Sequence, residues 1–185
     1  MIQNTAVKFP SGHIGKIFLV GFMGSGKTFW GRKWSQQYKL PFFDLDEEIE
    51  KAEKKTIAEI FEKDGEEFFR KMELHTLKSF SAMDNCIIAC GGGTPCFADN
   101  MQWMNENGKT VYLKASPQNI YQKLINEKDK RPLVKNLTGP KLLSFIEEKL
   151  QERELYYRQA YVILQVDEMG EDFVPGFIAD YYQNK

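Results

Sequence analysis

The chain has 185 residues, 42% of them hydrophobic and 28% charged, which is enough to form one globular domain over residues 1–185. Its formal net charge of −1 gives no general basic surface for nucleic acid, and no run approaches the ~20 apolar residues of a membrane span. Residues 1–15 show neither a secretory signal nor a plastid transit peptide, so we predict a cytoplasmic, bacterial-type protein. The charge and the apolar content predict no nucleic-acid or membrane partner, and we expect a monomer.

The first chemical signature is a glycine-rich loop between a strand and a helix. We predict a buried strand at Lys16–Val20 and a helix at Thr28–Tyr38. Between them, Gly21–Thr28 fits the phosphate-binding pattern G-x-x-x-x-G-K-[ST], which requires this strand and helix context. The alternative is a glycine-rich turn that binds nothing, and the context disfavours it. The loop therefore predicts a nucleoside triphosphate site.

The residue types of this loop explain how it would bind phosphate. Glycines allow backbone conformations that point several amides at one anion, and the following helix adds its N-terminal partial charge. Lys27 can reach the β- and γ-phosphates, and the Thr28 hydroxyl can bind Mg²⁺. The predicted nucleotide-binding residues are Gly24, Ser25, Gly26, Lys27, Thr28 and Phe29.

Two aspartates follow the second predicted strand, Pro41–Asp44. Residues two apart in a strand share a face, so we expect Asp44 and Asp46 to point the same way. Adjacent carboxylates repel unless a cation or a hydrogen-bonding ligand lies between them. Mg²⁺ and a polyhydroxyl substrate would meet that need. Alternatively, one aspartate caps a helix that starts at Glu47, which does not exclude a site role for the other.

A largely helical stretch, Thr56–Met83, has a predicted break near Asp64 and Gly65. Within it, Arg70 and Glu73 head a stripe at 3,4,3 spacing that continues with apolar residues. Taken alone, this spacing favours a surface ion pair.

The third strand, Cys86–Ala89, runs into three successive glycines, Gly91–Gly93. Glycines at the carboxyl end of a strand permit close approach of a ligand, and an ordinary turn before a helix at Phe97 or Ala98 is an equal alternative. The three cysteines of the chain, Cys86, Cys90 and Cys96, lack the spacing of a disulfide framework or a zinc site. We interpret them as small apolar residues near strand ends.

A fourth strand at Thr110–Leu113 precedes a helix near Pro117–Asn126 and a polar segment that begins at Glu127. The segment is rich in charge and ends at a proline, which is typical of an exposed, mobile connection. Because a phosphate loop occurs in the same chain, the segment is also a candidate lid. Its closure would bring Arg131 to the phosphates and exclude water.

The helix after Gly139 places Arg153 on an apolar stripe with Leu150 and Tyr157. An arginine there needs a partner, and we favour a core carboxylate or an anionic ligand over a side chain that extends to solvent. A last strand at Val162–Val166, a loop at Asp167–Gly170 and a closing helix at Phe173–Tyr182 complete the predicted elements.

Helical stretches separate most of the five predicted strands. This alternation indicates βαβ units, and hence an α/β fold with a parallel sheet covered by helices on both faces. Ligands of such sheets bind beyond the carboxyl ends of the strands. The glycine loop, the aspartates and the triple glycine all follow strands, so we expect them at one edge of the sheet.

Six segments follow one another in an order that resembles shikimate kinases: the glycine loop, the paired aspartates, the Arg70–Glu73 stretch, the triple glycine, and the stretches that begin at Arg131 and Arg153. The resemblance covers roughly Lys16 to Val166. The P-loop is shared by many NTPases, whereas the D-x-D, F-R-x-x-E and G-G-G motifs are more specific. The segments are Gly-Phe-Met-Gly-Ser-Gly-Lys-Thr (21–28), Phe-Phe-Asp-Leu-Asp (42–46), Phe-Phe-Arg-Lys-Met-Glu (68–73), Gly-Gly-Gly (91–93), Arg-Pro-Leu (131–133) and Arg-x-x-x-Tyr (153–157).

The resemblance implies a P-loop NTPase fold: a three-layer α-β-α sandwich around a five-stranded parallel sheet of order 2-3-1-4-5. It also implies a substrate-binding segment at about 44–74 and a lid at about 127–138. The reaction would be transfer of the γ-phosphoryl of ATP to the 3-hydroxyl of shikimate, in aromatic amino acid biosynthesis.

The resemblance also assigns site roles. Arg70 and Arg153 would hold the carboxylate of shikimate, and Asp46 would accept hydroxyl hydrogen bonds and act on the attacking hydroxyl as a base. The other implied roles are shikimate contacts for Gly92 and Gly93, Mg²⁺ binding by Thr28 directly and by Asp44 through water, and phosphate contacts in catalysis for Lys27 and Arg131.

The chain departs from the family pattern where an arginine often stacks on adenine shortly before the lid. No arginine occurs between Lys114 and Lys130; Lys123 is the nearest cation, and Leu124 lies near the aligned position. The alternative function, compatible with the same parallel-sheet fold, is that of a kinase for gluconate or for a nucleoside monophosphate. A guanine-nucleotide switch is disfavoured because the N-K-x-D pattern is missing.

Overall fold

A computed structural model of the protein describes residues 14–126 and 133–183. Its strands are β1 (Lys16–Val20), β2 (Phe42–Asp44), β3 (Cys86–Ala89), β4 (Lys109–Lys114) and β5 (Val162–Gln165). Its helices are α1 (Lys27–Tyr38), α2 (Leu45–Glu53), α3 (Ile57–Lys63), α4 (Gly65–Ser79), α5 (Asn100–Asn107), α6 (Pro117–Leu124), α7 (Gly139–Tyr157) and α8 (Gly176–Gln183).

The five strands form one parallel sheet in the order β2-β3-β1-β4-β5, flanked by helices, so the predicted α/β fold and strand order are confirmed. Leu19 of β1 pairs with Ala89 of β3, which pairs with Asp44 of β2, so these three strands end close to the same level, whereas β4 continues to Lys114. The carboxyl ends of β1, β2 and β3 therefore bring the loops that follow them to one edge of the sheet.

The central position of β1 follows from its composition. Ile17, Phe18 and Leu19 are fully buried, as expected for a parallel strand covered on both faces. Lys16 is also buried, and its ammonium donates hydrogen bonds to the carbonyls of Ser81 and Met83. The polar end of this strand is thus satisfied by the turn that follows α4.

Several element boundaries differ from the sequence predictions for local reasons. α5 begins at Asn100 and not at Phe97 or Ala98, because Ala98 adopts a φ of 47° that no α-helix accommodates. α8 begins at Gly176, directly after Pro175 and three residues later than predicted. The predicted break near Asp64 is confirmed, since α3 ends at Lys63 and α4 starts at Gly65 with a φ of 85°.

The predicted lid is only partly described. Residues 127–132, including Arg131, lie outside the described residues. Residues 133–136 form turns in which Val134 is fully buried and the other three residues are exposed, so this part of the predicted lid is attached to the core through Val134. Within residues 14–126 and 133–183, no helix combines the length and apolar character needed to cross a bilayer.

The three cysteines are free thiols, and two of them, Cys86 and Cys90, are buried. Burial raises the pKa of the Cys86 and Cys96 thiols to about 11, and it raises that of Cys90 further. Thiols in this state are unreactive, which agrees with their interpretation as small apolar residues.

Candidate active site

The glycine loop leaves the end of β1 and turns sharply into α1. Gly21, Gly24 and Gly26 have φ values of 138°, 78° and 92°, which confirms that these positions require conformations that other residues rarely adopt. Gly26 is the residue that caps α1, so the amides of the loop and the first turn of the helix lie together. This geometry suits a phosphate group.

Lys27 extends back over the loop that it follows. Its Nζ donates hydrogen bonds to the carbonyl oxygens of Gly21, at 2.7 Å, and Phe22, at 2.8 Å. The residue is only 9% exposed, so its charge is held against these carbonyls inside the loop. Among the other predicted nucleotide-binding residues, Ser25 is fully buried and Phe29 is 63% exposed beside the loop.

The hydroxyl of Thr28 meets the end of β2. Thr28 Oγ1 donates to Asp44 Oδ2 at 2.6 Å, so the two residues predicted to bind metal lie in contact. A hydroxyl that donates its proton keeps two lone pairs for a cation. Within the described residues there is no cluster of three or more His, Cys, Asp or Glu side chains that could hold a metal ion.

The expectation that Asp44 and Asp46 share one face of a strand is wrong. β2 ends at Asp44, and α2 begins at Leu45 and not at Glu47. The cause is local, since Asp44 Oδ1 accepts a hydrogen bond from the amide of Asp46 and thereby caps the helix. The alternative in which one aspartate is a cap is therefore confirmed for Asp44.

A cleft beyond the sheet edge collects most of the other predicted site residues. Asp46, Arg70, Gly92, Gly93 and Arg153 all line it, although they come from four separate parts of the chain. The remaining lining residues are Met23, Ile57, Phe61, Phe69, Glu73, Gly91 and Leu133.

Arg70 and Glu73 are not a surface ion pair, which corrects the interpretation that their spacing alone favoured. The Glu73 side chain is fully buried and that of Arg70 is 11% exposed, with 2.5 Å between Arg70 Nη1 and Glu73 Oε2. Glu66 pairs with the same guanidinium from its exposed side, at 2.8 Å. Thr94 donates to the second oxygen of Glu73 at 2.5 Å, so both carboxylate oxygens have partners.

Burial and charge act in opposite directions on this pair. Burial raises the pKa of Glu73, while Arg70, Thr94 and Arg153 act against it. Burial opposes the charge on Arg70, but Glu73 and Glu66 outweigh it and raise the pKa of Arg70. Arg70 therefore stays charged and is fixed by carboxylates at the wall of the cleft.

The triple glycine fits closely around this pair. A Cβ at Gly93 would lie 2.4 Å from Arg70 Nη1, and one at Gly91 would lie 2.3 Å from Glu73 Oε1. None of Gly91–Gly93 has a positive φ, so steric space is the reason for glycine here, and backbone conformation is not. Gly91 and Gly93 thus make space for side chains of α4, and the close approach of a ligand to the triple glycine stays a prediction.

Arg153 reaches the same cleft from α7. Its guanidinium carbon lies 5.5 Å from the centre of the Phe22 ring, and Nη1 would lie 3.6 Å from a Cβ at Gly92. Arg153 makes no ion pair within 4 Å in the part of the chain that the structure describes, but its charge acts on buried Glu73. Arg153 thus lies beside apolar residues and contributes a cation to the lining of the cleft.

One turn further along α7, Tyr157 is fully buried and donates its hydroxyl proton to the carbonyl of Gly92 at 2.5 Å. Its ring also lies 5.0 Å from that of Tyr112, whose hydroxyl donates to Glu154. α7 therefore supplies Arg153 to the cleft and fixes the glycine turn behind it.

Sequence reasoning missed several lining residues. Phe61 and Ile57 of α3 carry no motif, and only the packing of α3 on α4 brings them to the cleft. The spacing indicated that Glu73 is a neighbour of Arg70 but not that it is buried in the cleft wall. The F-R-x-x-E motif was the sequence signal that could have indicated this role. Met23 lies inside the phosphate-loop pattern, at a position where the pattern accepts any residue.

The fold and the two adjoining sites define a class of protein. A phosphate-binding loop on a parallel sheet faces a cleft with two arginines and an aspartate, which is the arrangement of a P-loop phosphotransferase with a small anionic acceptor.

Comparison with known proteins places the chain within that class. The family model for shikimate kinase matches residues 23–179. The shikimate kinase of Bacteroides thetaiotaomicron is 40% identical over 156 residues, which cover 84% of this chain and 89% of the relative. A crystal structure of shikimate kinase from the same organism has a TM-score of 0.80 at 38% identity and covers 91% of this chain and 94% of its own.

A second solved structure, shikimate kinase from Acinetobacter baumannii in complex with shikimate, has a TM-score of 0.75 at 30% identity. It covers 92% of this chain and 90% of its own. The chain belongs to the shikimate kinase family, so it is a kinase that uses ATP and phosphorylates a hydroxyl of shikimate. This membership decides against the alternative of a gluconate or nucleoside monophosphate kinase.

Proposed function

We propose that the chain transfers the γ-phosphoryl of ATP to the 3-hydroxyl of shikimate, with the site residues in the roles given below. The observation that carries this assignment is the convergence of Asp46, Arg70 and Arg153 on one cleft beside the phosphate loop. The structure of the relative from A. baumannii was solved in complex with shikimate, which supports shikimate as the ligand of the cleft.

On the donor side, the loop amides and Lys27 bind the phosphates of ATP, with Gly24, Ser25, Gly26 and Phe29 forming the rest of that site. Thr28 and Asp44 offer a hydroxyl and a carboxylate oxygen in contact, a donor set that suits Mg²⁺. Both Asp44 oxygens already accept hydrogen bonds, which favours contact with the ion through water. The bound ion would neutralise charge on the phosphates.

On the acceptor side, Arg70 and Arg153 hold the carboxylate of shikimate. Among the described residues Arg153 makes no ion pair within 4 Å, so its charge is available to the carboxylate, while Glu73 fixes the position of Arg70. Gly92 and Gly93 contact the substrate ring through their backbone, and Asp46 orients the attacking hydroxyl and accepts its proton. Fixed positions and charges then supply catalysis by placing the hydroxyl in line with the phosphoryl group.

Within a single domain, the substrate segment would be 44–74 and the lid 127–138. We propose that Arg131 reaches the phosphates when the lid closes, although it lies outside the described residues. A cytoplasmic location and a monomeric state remain predictions, and size-exclusion chromatography with light scattering would check the second.

An ADP-release assay with shikimate, gluconate and nucleoside monophosphates tests the proposed function. We expect ADP production to depend on shikimate alone, and the product to carry phosphate on the 3-hydroxyl by phosphorus and proton NMR. Turnover with gluconate or a nucleoside monophosphate but not with shikimate would overturn the proposal. So would phosphorylation at a different hydroxyl.

Gly93→Ala is expected to raise the KM for shikimate by about tenfold, a loss of ~1.4 kcal/mol, with little change in the KM for ATP. A methyl group there would lie 2.4 Å from Arg70 and would displace its guanidinium. Gly176→Ala is the matched control, because nothing lies within 4 Å of a Cβ at that position. Equal shikimate kinetics for the two variants would contradict this role of Gly93.

Tyr157→Phe removes the hydrogen bond to the Gly92 carbonyl while the ring remains packed on Tyr112. The hydrogen bond is part-buried, and an unsatisfied carbonyl in such a place costs up to roughly 1–3 kcal/mol, so we expect a lower melting temperature and a KM for shikimate several-fold higher. Tyr156→Phe, at the neighbouring 39% exposed position, is the control. If Tyr157→Phe lowered stability alone and left shikimate kinetics unchanged, the hydroxyl would have only a structural role.

A further inference from the structure

The end of α6 packs directly against the phosphate loop. Leu124 Cγ lies 3.3 Å from the position of a Cβ at Gly24, and Lys123 Nζ lies 3.8 Å from the corresponding position at Gly26. Leu124 is fully buried, so it anchors the helix to the loop, whereas the adjacent Lys123 is exposed. The ammonium of Lys123 is thus beside the glycine that caps α1.

The charge of Lys123 is not committed to a close carboxylate. In the ranges 14–126 and 133–183 it makes no ion pair within 4 Å, and its one recorded electrostatic partner is Asp167, whose pKa it helps to lower. Both oxygens of Asp167 accept hydrogen bonds at the start of α6, from the amide of Ser116 and from the Asn119 side chain. Lys123 is also the only lysine or arginine between Lys114 and Lys128.

The surroundings of Lys123 favour an anion as its ligand. It lines a shallow groove on the exposed side of α6 whose other lining side chains are uncharged: Gln118, Asn119, Gln122 and Asn126. On its other side are the Gly26 amide and the N-terminus of α1, which attract negative charge. An ammonium on a flexible four-carbon chain acts as a point charge toward phosphate and offers a base no flat surface to stack on.

We propose that Lys123 is a phosphate ligand of the bound nucleotide, a second cation beside the loop that acts together with Lys27. Its contact is with the phosphates and not with the nucleobase. The proposal rests on the proposed function, since it takes ATP as the donor.

Measured nucleotide affinities distinguish phosphate binding by Lys123 from a contact with the base and from a solvated lysine without a ligand. We expect Lys123→Ala to lower the affinity for ATP and for ADP by about tenfold, as measured by isothermal titration calorimetry. This is the size of effect expected for the loss of one charge-assisted hydrogen bond. Adenosine affinity should change less than twofold, and Lys123→Arg should retain ATP affinity within about threefold. The KM for ATP should rise in Lys123→Ala while the KM for shikimate stays constant.

Lys149→Ala removes the same charge on α7, where Lys149 pairs with Glu152, and serves as the control. Equal losses for adenosine and ATP in Lys123→Ala would overturn the proposal in favour of a base contact. Unchanged ATP and ADP affinity would overturn it in favour of a solvated lysine. Binding is measured without shikimate, so a failure of shikimate turnover would refute the proposed function and leave this test intact.

Discussion

Arg70→Ala is expected to raise the KM for shikimate by about 10- to 100-fold while the KM for ATP changes little. The reason is the loss of a charge-assisted contact of roughly 1.5–3 kcal/mol to the substrate carboxylate. Arg70 lines the cleft and lies on α4, which contributes no residue to the predicted nucleotide site, so nucleotide binding should not depend on it. Steady-state kinetics with each substrate varied in turn checks the separation.

The same substitution should also lower the stability of the fold. Glu73 is fully buried, and removal of its partner leaves a carboxylate whose charge is only partly compensated by Thr94 and Arg153. Breaking a buried ion pair in this way costs about 3–5 kcal/mol, and the remaining partners of Glu73 place the expected loss near the lower end. Chemical denaturation of the wild type and the variant measures it.

The double variant Arg70→Ala with Glu73→Gln separates the two effects. Glutamine keeps an acceptor for Thr94 and removes the unpaired charge, so stability should recover toward the wild type. The KM for shikimate should stay high, since the arginine is still missing. A KM that recovered together with stability would mean that Arg70 only supports the fold, and a collapse of ATP affinity in either variant would refute its assignment to the acceptor.

Asp46→Asn is expected to lower kcat by about 10²-fold or more, within the range of a lost general base. Asparagine can still accept hydrogen bonds from the substrate hydroxyls, so the KM for shikimate should change only a few-fold. The backbone amide of Asp46, not its carboxylate, bonds to Asp44, so the cap of α2 survives the substitution. Kinetic measurements with both substrates saturating give the required kcat.

Glu47→Gln is the matched control for this carboxylate. Glu47 is the next residue of α2 and pairs with Arg32 at the surface, where both side chains are about half exposed, at 46% and 51%. It should leave kcat within about twofold of the wild type, as expected for an exposed pair worth at most ~1 kcal/mol. If Asp46→Asn also kept full kcat, Asp46 would have a binding role alone, and the arginines and the loop would account for catalysis.

The fold was predictable because its signals are local. The apolar run of β1 and the glycine pattern after it fix a strand, a turn and a helix within a few residues, and the structure has all three. The alternation of strands and helices then indicates a parallel sheet. The boundary errors arose where one side chain or dihedral angle decided the outcome, as at Asp44, which caps α2.

The candidate site was predictable only in part. Motifs identified Asp46, Arg70 and Arg153 as chemically unusual, and all three do line the cleft. The same spacing argument could not distinguish a surface ion pair from a buried one, because burial of Glu73 depends on β3 and the turn after it. The hydrophobic lining from α3 carries no motif at all.

By itself, the sequence determined the phosphate loop, the parallel α/β fold and the set of charged residues available to a substrate, because backbone conformation and hydrophobic periodicity act over short distances. Only the tertiary structure decided which charges are buried, which glycines make space for a side chain, and that Lys123 lies beside Gly26. Those facts depend on contacts between residues as far apart as Glu73 and Thr94, or Gly92 and Tyr157, and packing of distant elements sets them.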